Sequence, residues 1–155
     1  MDAVRAGIIL YGMWPSDEVK RDGIVLEPLL SLKSRIAYIK ELDAGQEISY
    51  GGTFCTANPM RVATIPVGYA DGYPRRLSNM GKVFINGKAY NQIGRICMDV
   101  CMADVTGGDV RQGDEAILFG RGGMSIEAVA QIVGTINYEL TCLVTERVNR
   151  VYVNN

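Results

Sequence analysis

The sequence predicts a mainly β fold, a small β-barrel with one or two short helices. Three observations carry that expectation. Apolar and polar residues alternate over several short runs, which is the period of a half-buried strand. Asn86-Gly87 separates two such runs, and a two-residue hairpin turn needs φ > 0 at both positions, which Asn and Gly adopt most readily. Only one stretch, residues 126–133, has a clear helical period.

The elements follow in order. Leu32–Ile39 reads as a strand with Leu32, Ile36 and Tyr38 on one face, and Asp43-Ala44-Gly45 as a turn. Arg61–Val67 is rich in β-branched residues, and Pro66 marks an edge or the point where the strand leaves its ladder. Lys82–Ile85 and Lys88–Ile93 form the hairpin around Asn86-Gly87. Ile96–Val105 reads as the next strand, with Ile96, Met98, Val100 and Met102 sharing a face and the two methionines in the core. Asp114–Phe119 follows a loop containing Gly107-Gly108 and Gln112-Gly113, and Arg147–Val153 closes the chain as a last strand. The helix has Ser125 as N-cap, Glu127 in its first turn, a stripe of Ile126, Val129, Ala130 and Val133, and Gly134 as its stop. Asn137–Cys142 reads as a second short helix. Residues 1–27 have a different texture: Val4–Leu10 is apolar and ends at Tyr11-Gly12, and the polar, turn-like stretch from Pro15 to Gly23 reads as a linker.

Composition narrows the function. The chain has 155 residues, 48% of them apolar, enough for one sizeable core. Sixteen basic against seventeen acidic residues leave a net charge of −1, without the basic excess that nucleic acid demands. No apolar run reaches the ~20 residues of a membrane span. The opening residues do not read as a signal peptide, so the expected location is cytoplasmic. There is no histidine, which removes Ser-His and Cys-His nucleophiles from this chain and the commonest metal ligand with them. Cys55, Cys97, Cys101 and Cys142 contain no CxxC pair. They read as buried thiols, and no metal site is expected.

Three tyrosines have unusual neighbours: Tyr50 in Ser-Tyr-Gly-Gly, Tyr69 in Gly-Tyr-Ala-Asp-Gly, and Tyr138 in Ile-Asn-Tyr-Glu. A phenol moves protons near neutral pH only in a cationic setting, since its ordinary pKa is about 10. Tyrosines packed in turns with their hydroxyls at the surface are the plainer reading. Eleven of the sixteen basic residues are arginine, the side chain suited to planar recognition of carboxylate or phosphate. Arg75, Arg76 and Arg95 lie near the tyrosine loops; solvated strand-end charge is the alternative. The amides around Gly7 in Arg5-Ala6-Gly7-Ile8 can cradle an anion. None of the five lysines sits in an apolar pattern that would depress its pKa.

Six motifs in order resemble the C-terminal domain of bacterial alanine racemase, a pyridoxal-phosphate family. They are Val4-Arg5-Ala6-Gly7-Ile8 with Leu10-Tyr11-Gly12, Ser31-Leu32-Lys33-Ser34-Arg35, Ser49-Tyr50-Gly51-Gly52-Thr53, Pro66-Val67-Gly68-Tyr69-Ala70-Asp71-Gly72-Tyr73, Gly94-Arg95-Ile96-Cys97-Met98-Asp99, and Thr135-Ile136-Asn137-Tyr138-Glu139. The resemblance implies that Tyr50 is one of two catalytic bases exchanging the α-proton of alanine. It implies that Arg5 meets the pyridine nitrogen of pyridoxal 5'-phosphate, with Gly7, Ile8 and Tyr138 at the phosphate. Met98 would offer its backbone amide to the substrate carboxylate, and Tyr69, Arg75 and Arg95 would line the corridor by which substrate enters. Val100 departs from the glutamine that many relatives carry there.

The family's Schiff-base lysine lies on a (β/α)₈ barrel, which needs about 250 residues and does not fit here. The expectation is therefore a C-terminal portion: residues 1–26 as the end of that barrel plus a linker, and residues 27–155 as the β-barrel domain. Such a chain would work with the N-terminal barrel and the second subunit of a homodimer, and would be inactive alone. Two other readings stay open. One is a serine racemase of the glycopeptide-resistance type, against which the bulky phenol of Tyr138 leans. The other is a non-catalytic β-barrel that binds small anions through Arg75 and Arg95.

Overall fold

In a computed structural model, residues 2–153 are described. The nine strands are β1 (Leu32–Arg35), β2 (Tyr38–Leu42), β3 (Glu47–Ile48), β4 (Phe54–Cys55), β5 (Met60–Ile65), β6 (Lys82–Ile85), β7 (Lys88–Ile93), β8 (Cys101–Asp104) and β9 (Glu115–Phe119). Two helices follow, α1 (Ile126–Val133) and α2 (Asn137–Leu143), and short 3-10 helices occupy several loops.

Seven strands form one antiparallel sheet in the order β1-β9-β6-β7-β8-β5-β2. Its two ends are consecutive in the chain. Ile36 N–H donates to Asp114 O beside β9, and Ala37 N–H, the next residue, donates to Thr64 O in β5, each at 2.9 Å. Neighbouring Cα atoms are only ~3.8 Å apart, so the sheet curls until its ends meet. The run 32–42 therefore bends from one end of the sheet to the other, β1 pairing with β9 and β2 with β5, and so brings the barrel together. The kink also breaks the alternation expected there: Leu32 and Ile36 are buried but Tyr38 is exposed.

The hairpin turn has Asn86 at φ 51° and Gly87 at φ 75°, as two-residue turns require. Ser125 Oγ accepts from Ala128 N–H, Gly134 ends α1, and the four apolar stripe residues are buried. The strand at Arg61 ends before Pro66, as that proline signalled.

Four expectations are corrected. Strand pairing begins only at Cys101, not Ile96, because Cys97 N–H bonds Val100 O and folds 97–100 into a turn. Met98 is consequently 51% exposed rather than in the core. Residues 147–153 form no strand; the Arg150 guanidinium caps the carbonyls of Val144, Thr145 and Val148 and holds the segment against the end of α2 instead. Of the cysteines only Cys101 is buried; Cys97 is half-buried, Cys55 is exposed in β4, and Cys142 is exposed in α2, whose covered face carries Asn137 and Leu140 instead.

The main core fills the barrel and continues beneath both helices, and it includes Ile8 and Met13 from the opening segment. A smaller cluster of Ile48, Val62 and Ile93 lies on the opposite face of the sheet, with Leu42, Phe54, Met60 and Met102 against it. Strand alternation puts Ala63 and Ile65 inside and Val62 outside. This outer cluster seats the β3–β4 ribbon, and the ribbon carries Tyr50.

Candidate active site

Tyr50 opens a 3-10 turn, Tyr50–Gly52, at the tip of the β3–β4 ribbon, and its side chain is 74% exposed. The ribbon's base is tied by buried Thr56, whose Oγ1 donates to Asp43 O at 2.7 Å and accepts from Gln46 N–H at 2.8 Å. Its tip is tied to the loop 94–98. Ser49 Oγ donates to Arg95 O at 2.6 Å and lies 3.3 Å from Cys97 Sγ. Ser49 has φ 67° and ψ −175°, a region otherwise left almost wholly to glycine. The Arg95 guanidinium lies against Gly51, where an added Cβ would be 3.1 Å from Nη1. A guanidinium thus lies against the residue that follows Tyr50.

The same loop receives Tyr69 and Met98. Tyr69 N–H donates to Cys97 O at 3.1 Å, and Ala70 N–H to Met98 O at 3.0 Å. No hydrogen bond among the described residues engages Met98 N–H, so that donor is free. The turn carrying Arg75 is joined from the other side: Ser78 Oγ donates to Arg75 O and accepts from Ile96 N–H. Arg75 is exposed. The structure therefore gathers Tyr50, Tyr69, Arg75, Arg95 and Met98 onto one set of interlocked loops.

Gly7, Ile8 and Tyr138 form a second group. Gly7 has φ +65° and begins a 3-10 helix, and the Tyr138 hydroxyl lies 3.8 Å from where a Gly7 Cβ would stand. The first N–H groups of such a helix have no partner within it. Ile8 is buried and anchors the turn, and Asn137 Nδ2, next to Tyr138, donates to Trp14 O at 2.9 Å. Arg5 is exposed and makes no hydrogen bond among the described residues. No hydrogen bond among them links the two groups directly.

Sequence reasoning missed the residues that hold these loops. Buried Gln92 accepts from Asn79 N–H through Oε1 and donates to the carbonyls of Ile93 and Gly94 through Nε2. Asn79 Oδ1 accepts from Gly94 N–H at 2.6 Å. A polar residue at an inward hairpin position was the available signal for Gln92. Tyr73 and Cys101 lie beneath the site, fully buried; burial pushes the phenol and the thiol well above their ordinary values, with a smaller contribution from Cys101 on Tyr73 and from Cys97 on Cys101. No cluster of metal-binding side chains occurs among the described residues, and no helix among them is long and apolar enough to cross a membrane.

The family model described as alanine racemase, C-terminal domain, matches residues 29–152. This chain belongs to that family. The alanine racemase of Clostridium perfringens is 50% identical over 159 residues, covering all of this chain and 41% of that protein. The structure of Clostridium difficile 630 alanine racemase in complex with cycloserine superposes with a TM-score of 0.91 at 47% identity, over 96% of this chain and 40% of that one. The Bartonella henselae alanine racemase with covalently bound pyridoxal phosphate gives a TM-score of 0.86 at 34% identity, over 95% and 40%. The racemase-type β-barrel anticipated from the motifs is the fold observed. This chain spans about two fifths of the length of these relatives.

Proposed function

We propose that this chain is the C-terminal portion of a pyridoxal-phosphate-dependent alanine racemase that interconverts L- and D-alanine for cell-wall synthesis. The observation that carries the reading is the presentation of Tyr50: exposed, on a strained and doubly tied turn, beside the Arg95 guanidinium. That is costly geometry for a residue with only a packing role. Tyr50 takes the α-proton from one face of the substrate and returns it there in the reverse direction. The base for the other face belongs to the rest of the enzyme.

The residues present fit the cofactor. The first N–H groups of the turn at Gly7 and Ile8 have no partner within it, and Gly7 lies near the Tyr138 hydroxyl, a set of donors that suits a phosphate. They would hold the phosphate, and Arg5 the ring nitrogen. When bound, the cofactor supplies an electron sink that acidifies the substrate α-carbon. Met98 N–H would donate to the substrate carboxylate, and Tyr69, Arg75 and Arg95 would guide that anion inward. Because Tyr50 and the phosphate group are on separate clusters, we assign Tyr50 to a site completed by the partner subunit of a homodimer. Val4, Leu10, Tyr11, Ile24, Val25 and Leu29 of the opening segments are each exposed, and apolar side chains of that kind suit burial against the (β/α)₈ barrel. The enzyme is assigned to the cytoplasm. The relatives reported above are alanine racemases, which disfavours both serine as substrate and a non-catalytic anion-binding role.

The test is a chimera joining the N-terminal portion of the Clostridium perfringens racemase to this chain. It is expected to interconvert the alanine enantiomers and to wash deuterium into the α-position in D₂O. A folded, cofactor-loaded chimera that leaves alanine untouched overturns the proposal. The chain alone is expected to show no racemisation and no saturable cofactor spectrum.

A further inference from the structure

We infer that Arg147 is a positioning residue for the substrate-facing loops. Its Nη2 donates to Asp99 Oδ1 at 2.6 Å, and its Nε lies 3.6 Å from Asp71 Oδ1. The two carboxylates stand on different loops. Asp99 directly follows Met98. Asp71 follows Tyr69 by two residues, and its other oxygen accepts from Gly68 N–H at 2.9 Å, which fixes the start of the Tyr69 turn. One guanidinium thus clasps the loop of the carboxylate-facing amide to the loop of the corridor tyrosine. Two backbone bonds, Tyr69 N–H to Cys97 O and Ala70 N–H to Met98 O, are the contacts that the clasp holds shut. The Arg147 charge is reinforced in place, chiefly by its bond to Asp99. A second tie comes from the same segment: Thr145 Oγ1 donates to Ala70 O at 2.7 Å. Arg150 fastens that segment to the end of α2. The reach of Arg147 into the site is indirect, through Met98 and Tyr69.

This inference rests on the racemase reading, and its test separates the two. In the complete racemase, Arg147→Met is expected to raise KM for alanine roughly fivefold, the upper size for a half-exposed ion pair, with kcat less affected and the cofactor absorbance unchanged. Hydrogen exchange is expected to quicken in peptides spanning 66–73 and 95–100, and to stay the same in the β6–β7 hairpin. Arg147→Lys recovers part of both effects. Asp99→Asn, which keeps the arginine stem, reproduces them if Arg147→Met fails to fold. If the parent enzyme does not racemise alanine, the functional reading fails, and loop exchange still reports on the clasp. If the parent racemises while both variants keep the parental KM and exchange, the positioning role is overturned.

Discussion

Ser49 Oγ donates to Arg95 O at 2.6 Å from a backbone conformation, φ 67° and ψ −175°, that serine seldom adopts. One hydroxyl holds both the strain before Tyr50 and the register of the loop that brings Arg95 and Met98. Replacing Ser49 separates those effects. Ser49→Ala loses the bond and keeps the strain, a cost of about 1 kcal/mol. Ser49→Gly loses the bond but relieves strain of about 1–3 kcal/mol. Denaturant unfolding is expected to rank glycine above alanine, while both slow racemisation in the complete enzyme. Equal stability of the two variants would mean the conformation is not strained.

Tyr50→Phe is expected to remove α-proton exchange on one face and leave stability almost untouched, because Tyr50 is 74% exposed and no hydrogen bond among the described residues engages its hydroxyl. Deuterium incorporation from D₂O, followed separately from the L- and D-enantiomers, reads this out. Retained racemisation would exclude Tyr50 as a base.

Gly7→Ala places a Cβ at φ +65° and points it at the Tyr138 hydroxyl. The left-handed conformation costs an L-residue about 1–2 kcal/mol. The expected outcome is weaker cofactor retention in the complete enzyme, seen as loss of its visible absorbance on dialysis, with the Tyr50 loops unaltered by hydrogen exchange. Retention equal to the parent would remove Gly7 from the phosphate site.

Tyr73 is fully buried and its hydroxyl has no hydrogen-bond partner among the described residues. Tyr73→Phe is therefore expected to be neutral or to stabilise by up to about 1 kcal/mol. The pH dependence has a definite sign. Burial holds the protons of Tyr73 and Cys101 on in the folded state above the values at which the unfolded chain releases them. Stability from these groups is complete below about pH 8.5, where the free thiol begins to ionise, and falls as pH rises beyond it. Thermal melts from pH 7 to 11 should slope downward, and Tyr73→Phe with Cys101→Ala should flatten that slope. A melting temperature that rises with pH over that range would contradict the assignment.

Much of the fold was legible in local signals. Asn86-Gly87 marked its hairpin, Ser125 and Gly134 bounded α1, and Pro66 marked the end of β5, because each depends on a few adjacent residues. The short β3 and β4 were not legible, since two-residue strands carry no period. The site was legible as motifs around Tyr50, Tyr69, Met98 and Tyr138. The residues that hold those motifs in place were not: Gln92, Asn79 and Arg147 look like ordinary polar positions until their distant partners are known.

The sequence by itself determined the strand and helix chemistry, the absence of histidine, and the family through six ordered motifs. Only the tertiary structure decided that 32–42 bends from one end of the sheet to the other, that 97–100 turns outward to expose Met98, and that 147–153 stays unpaired. The reason is range. Turns and caps are settled by neighbours a few residues away, whereas the bonds of Ile36 to Asp114 and of Ala37 to Thr64 join residues far apart in the chain, at the two ends of the strand order. The last segment pairs with no strand, and Arg147 and Arg150 bond instead to the Asp99 carboxylate and to the carbonyls after α2.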